Sequence, residues 1–157
     1  MRRRVMLGVA LAIVVGLAAL PAVANADHPG HLGRTWSRTL TATLTGSGEV
    51  PPVATEASGL FRVTIDRRKH LLCYEGVITG MEPVAGHIHK APPGENGGPV
   101  VDLAAIGEPL GSSTSGCVTG IGAALLRDIV QTPKQFYINM HSDSYPGGEI
   151  RGQLAER

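Results

Sequence analysis

The sequence predicts an all-β domain, an antiparallel Greek-key sandwich carrying one short helix. Three observations support this. Short runs of alternating apolar and polar residues recur along the chain. Gly and Pro are abundant, 21 and 11 residues out of 157, and cluster between those runs. One segment near residue 125 has a helical rather than a two-residue period. Regularly spaced short strands separated by turn residues are the pattern of a sandwich or barrel.

Taken in order, Thr39–Leu44 alternates hydroxyl and apolar side chains. Phe61, Val63 and Ile65 alternate with Arg62 and Thr64, a half-buried strand. Leu71–Thr79 is rich in β-favouring residues, and Val84–His89 and Val100–Leu103 are shorter runs. Gln135–His141 and Glu149–Leu154 complete about seven strands. Gly46-Ser47-Gly48, Asp66–Lys69, Pro92-Pro93-Gly94 and Tyr145–Gly148 are the turn signals. Ile121–Gln131 places Leu125, Leu126, Ile129 and Val130 at helical spacing. Thr119 is a candidate N-cap, and Pro133 ends the segment. With aromatic residues at only 4 %, the core must be largely aliphatic.

The amino-terminal residues read as an export signal. Arg2, Arg3 and Arg4 precede an uncharged apolar run from Val5 to Leu20. Pro21 breaks that run, and Ala22-Val23-Ala24 and Ala24-Asn25-Ala26 offer small-x-small cleavage sites. The run falls short of the roughly 20 apolar residues of a spanning helix. The expected organisation is a signal peptide over 1–26, a flexible lead-in over 27–37 with His28 and His31, and one domain over 38–157. A secreted or extracytoplasmic monomer, free of the membrane after cleavage, is expected. An uncleaved membrane anchor is the alternative.

The two cysteines, Cys73 and Cys117, then lie in an oxidising setting, where an isolated pair forms a disulfide. Thiolate metal ligation ranks lower, because neither has a Cys or His at C-x-x-C or C-x-x-H spacing. Lys+Arg 14 against Asp+Glu 13, with no basic stripe, gives no footprint for nucleic acid. The chain also lacks a Gly-x-Ser-x-Gly elbow and a phosphate-binding glycine loop, so the sequence identifies no catalytic residue.

Gly86-His87-Ile88-His89 carries the most chemistry. On a strand, residues two apart share a face, so His87 and His89 project together while Ile88 points to the core. Their spacing along one face is about 7 Å. His141 is the third candidate, on a strand whose Tyr137, Asn139 and His141 share one face and Phe136, Ile138 and Met140 the other. Neutral imidazoles suit copper and zinc. The alternative is that these histidines hydrogen-bond loop carbonyls and tie down the Lys90–Pro99 turn.

Four blocks in order carry a family resemblance: Gly46–Val53; Ala85–Val101; Tyr137–Ser142; and Pro146–Leu154. Together they resemble the CHRD domain, over about Ser37–Leu154. The resemblance implies an extracellular β-rich binding or structural module without an established general activity. Its partner would be an extracellular protein or surface ligand, met by the loops Lys90–Pro99 and Ser142–Gly148. A looser similarity links His87, His89 and His141 to part of the copper site of Cu,Zn superoxide dismutases, which are also sandwiches with an internal disulfide; the expected fold is accordingly immunoglobulin- or superoxide-dismutase-like. Between Lys90 and Met140 the chain has no His, so the intervening zinc ligands of that enzyme family are missing here. That similarity implies a copper-binding protein as the alternative function. Arg151 could lie beside such a site, or pair with Glu149.

Overall fold

The computed structural model describes residues 37–103 and 111–157. The expected signal peptide, and the lead-in with His28 and His31 up to residue 36, lie outside the described residues.

The elements run β1 (Ser37–Thr45), β2 (Ser58–Asp66), β3 (Leu71–Thr79), β4 (Ala85–Lys90), β5 (Pro99–Asp102), β6 (Ser113–Thr119), α1 (Ala123–Gln131), β7 (Phe136–His141), β8 (Ile150–Gln153) and β9 (Ala155–Glu156). All pairings are antiparallel. Instead of two separate sheets, the strands form one nine-stranded sheet in the order β5-β4-β7-β8-β1-β2-β3-β6, with β9 also on β1. The reason is β1. It pairs with β2 along its whole length on one side and receives β8 at Thr45–Arg151 and β9 at Leu40–Glu156 and Thr41–Ala155 on the other. The sheet curls until it is nearly a barrel, so that the inward residues of every long strand share one core.

That core is aliphatic, as the low aromatic content requires. Leu44, Val63, Ile65, Leu72, Ile88, Ile138, Met140 and Ile150 are fully buried, with Phe61 and Phe136 among them. Leu126 and Ile129 of α1 pack against it, the inward face of the expected helix. Near the two ends of the sheet, the Tyr74 hydroxyl on β3 donates a hydrogen bond to the Leu103 carbonyl just after β5.

Two details differ from the sequence reading. The N-cap of α1 is Gly122, not Thr119; Thr119 is still paired in β6, opposite Leu71. And β6 itself, Ser-Thr-Ser-Gly-Cys-Val-Thr, carries too few apolar residues to announce a strand. It is held as an edge by its register with β3, in which Cys73 stands directly opposite Cys117. Those two residues form the expected disulfide.

The bridge spans 44 residues of sequence, a loop whose closure in the unfolded chain is worth at most about 4 kcal/mol. Replacing both cysteines by Ala should lower the unfolding free energy by up to about that amount in urea denaturation, with β6 amides losing hydrogen-exchange protection first. An unchanged urea midpoint would contradict this.

Candidate metal centre

Strands β4, β7 and β8 lie side by side, and their inward residues belong to the core. Their outward residues form a second layer that is mostly polar yet largely withdrawn from solvent. In register across the sheet, Ala85 faces His141; His87 faces Asn139, which faces Arg151; and His89 faces Tyr137, which faces Gln153. Every residue of β7 is buried on both faces. Withdrawing a polar layer from water is costly unless most of its hydrogen bonds are made within the protein. Three loops supply those partners.

The first is the β4–β5 connection. It doubles back so closely that a Cβ on Gly97 would stand 1.9 Å from the Lys90 carbonyl oxygen, so only glycine fits there. This brings the Gly97 carbonyl to His89 Nδ1 at 2.9 Å, and the Tyr137 hydroxyl accepts from the Gly97 amide at 3.2 Å. The second is the β7–β8 connection, which turns through Ser142–Gly148 and sets the Pro146 carbonyl 3.0 Å from His141 Nδ1. Gly148 has φ +126°, and a Cβ there would meet the Asn139 amide and Glu49 Oε1 at 2.5–2.7 Å. The third follows β1. Its Val50 carbonyl accepts from Asn96 Nδ2 at 2.8 Å, fastening it to the first loop.

A carbonyl oxygen only accepts, so the nitrogen facing it must carry a proton. His89 and His141 are therefore Nδ1–H tautomers with their lone pairs on Nε2; that of His89 has no partner, and that of His141 accepts from His87 Nδ1–H. His87 closes the cluster: its Nδ1 lies 3.0 Å from His141 Nε2 and its ring meets those of His89 and His141 edge-on, at 5.5 and 5.0 Å. One nitrogen from each ring lies within 4.8 Å of the others. Three ligands at about 2.0–2.1 Å from one ion stand about 3.5 Å apart, so closing on a metal requires ring movements of about 1 Å. His89 Nε2 is buried without a hydrogen-bond partner. Burial holds His89 and His141 below the ordinary imidazole range, reinforced by the neighbouring imidazoles and partly offset by the carbonyl bonds. Each shift favours the neutral imidazole, the form a metal needs.

The structure thus brings together all three histidines singled out in the sequence. It also shows that the two readings of them coincide, since His89 and His141 bond loop carbonyls through one nitrogen and offer the other.

What the sequence reading missed is the surrounding shell. Arg151 is only 2 % exposed. Its guanidinium donates to Asn96 Oδ1 at 3.0 Å and to the Glu95 carbonyl at 2.6 Å, and lies 3.5 Å from the centre of the Tyr137 ring. Tyr137 in turn stacks on His89, with centroids 4.9 Å apart and planes 13° from parallel. Glu149, the partner suggested for Arg151, instead accepts from Thr55 at 2.8 Å and from Ser142 at 2.5 Å. Glu49 is 6 % exposed, and its Oε1, like Asn139 Oδ1, has no hydrogen-bond partner. Burial pushes its carboxyl up to about 6, against the opposing pull of Arg151 and the Val50 amide. The period-2 face Tyr137-Asn139-His141 pointed to part of this shell. Nothing in the spacing announced Glu49, which reaches the site from a turn 90 residues earlier in the chain than Asn139.

Two outcomes follow. In the metal-free protein at pH 8, nitrogen-resolved NMR should show His89 and His141 as Nδ1–H tautomers; an Nε2–H pattern would contradict the carbonyl anchors. For Glu49, a carboxyl raised from 4.5 to about 6 gives stability that is complete below pH 4.5 and declines as pH rises through 6. The loss is about 2 kcal/mol. Urea titrations of Glu49→Gln should lack that decline, so the variant gains about that much on wild type between pH 4.5 and 7.5.

Comparison with known proteins gives one family. The CHRD domain model matches residues 40–154, a span that runs from within β1 to just past β8 and includes all three histidines. No curated protein and no solved structure matches the chain. With most of its length matched by that one model, the chain belongs to the CHRD domain family.

Proposed function

We propose that this chain is an exported binding module whose CHRD domain holds a single transition-metal ion, copper before zinc, between His87, His89 and His141. The disulfide supports the exported setting, since such bonds persist in oxidising compartments. One observation carries the metal reading. His89 and His141 have their Nδ1 protons pinned to backbone carbonyls, so two lone pairs are turned toward a third imidazole, and that of His89 is buried and unpaired. An outer partner that fixes tautomer and ring direction is the usual companion of a metal-binding histidine. A purely structural histidine gains nothing from an orphaned nitrogen, because each buried acceptor without a partner destabilises the fold by about 1–3 kcal/mol.

The donor set is chemically narrow. All three ligand atoms are imidazole nitrogens, a set suited to copper and zinc and unsuited to magnesium or calcium, which take oxygen ligands. His87 is half-buried while His89 and His141 are buried, so His87 is the most exposed of the three and the route by which an ion enters or leaves. In that role the module stores or delivers copper, or presents it to a small molecule at an open coordination position. The loops proposed as a recognition surface, Lys90–Pro99 and Ser142–Gly148, are those that position the histidines.

The test uses untagged protein incubated with Cu(II), or with Cu(I) under anaerobic conditions, and then desalted. About one equivalent per chain should be retained. The substitutions His87→Ala and His89→Ala together should abolish retention while leaving the far-ultraviolet dichroism of the sheet unchanged. Equal, negligible retention by wild type and the double variant would leave only a metal-free binding scaffold.

A further inference from the structure

The metal reading above leaves open what the buried arginine beside the site is for. We infer that Arg151, through Tyr137 and His89, biases the three-histidine centre toward a monovalent ion, cuprous copper, against divalent ions such as zinc or cupric copper. This rests on the metal reading and specifies its cargo.

The arginine is an expensive residue to bury. Its guanidinium is always charged, it is among the largest fully buried side chains of the domain, and among the described residues it forms no ion pair. Its hydrogen bonds go to neutral acceptors, the Asn96 side-chain oxygen and the Glu95 carbonyl. If it served only to clasp the β4–β5 loop, a neutral donor would do the same with less desolvation. The charge is instead aimed: β7 lies between β4 and β8, so Tyr137 stands between His89 on one side and Arg151 on the other, and its ring stacks with both.

Strand spacing sets the distance. Arg151 is two strands from His87 in direct register, which is on the order of 10 Å. At that range, with an effective dielectric near 20, one unit charge changes the binding constant of a monovalent ion roughly tenfold and that of a divalent ion by the square of that factor. The ligands do not compensate. Three neutral imidazoles bring no negative charge to the ion, and neither carboxylate nor thiolate belongs to the cluster. Glu49 supplies the opposing charge, as the carboxylate that feels the field of Arg151. The preference therefore reflects two charges of opposite sign, and removing either one should move it in opposite directions.

The experiment measures, at pH 7.5 and without oxygen, the Cu(I) affinity by bicinchoninate competition and the Zn(II) affinity with a chromophoric zinc chelator. Ag(I) serves as a second monovalent probe. The readout is the ratio of monovalent to divalent binding constants. Arg151→Gln should lower that ratio about tenfold, Arg151→Lys should keep it within about threefold of wild type, and Glu49→Gln should raise it. If wild type binds none of the three ions, the metal reading itself fails. If the ions bind and the ratio is unchanged in both Arg151→Gln and Glu49→Gln, the charge has no say in ion choice and this inference is overturned. Should Arg151→Gln not fold, the Glu49→Gln ratio alone decides: an increase supports the inference, and no change or a decrease overturns it.

Discussion

The hydrogen bonds from His89 and His141 to the carbonyls of Gly97 and Pro146 govern the chemistry of this domain. They do two things at once. They give loop backbone oxygens a hydrogen-bond donor, and they fix which imidazole nitrogen bears the proton. A loop and a ligand are thus determined by the same bond. The glycine at 97 permits the close approach that makes the first of these bonds, so the conformational freedom of one residue reaches through a carbonyl to the lone pair of a ring.

The polar layer is buried because loops, rather than a second sheet, cover it. A sheet packed face to face would need apolar side chains on both inner surfaces. Loops bring backbone donors and acceptors instead, and β7 can therefore carry Tyr137, Asn139 and His141 outward and still be buried throughout. The arrangement divides the domain by task. The core side of β4, β7 and β8 supplies stability through Ile88, Ile138, Met140 and Ile150, and the covered side carries the three histidines.

Much of this was legible in the sequence because strand periodicity is a local property. The alternation of Phe61, Val63 and Ile65, the limits of β3, and the shared face of His87 and His89 all follow from the two-residue repeat. So does the pairing of His141 with Tyr137 and Asn139 on one side of β7. What could not be read was anything set by the partner strand. β6 has little hydrophobic pattern of its own and is defined by its register with β3. The single continuous sheet depends on β1 accepting neighbours on both edges. Glu49 and Arg151 carry charges that in most strands and turns meet solvent; only the loops folded over them make them internal.

The covalent ring closed by Cys73 and Cys117 contains β4, with His87 and His89, but not β7, with His141. In an unfolded, oxidised chain the third imidazole is therefore tethered outside the ring that holds the other two. It meets them only when β4 and β7 zip together across more than fifty residues of sequence. No hairpin of strands adjacent in sequence assembles the trio. An ion held as proposed would therefore bind only chains in which β4 and β7 have already paired, and by mass action would favour them.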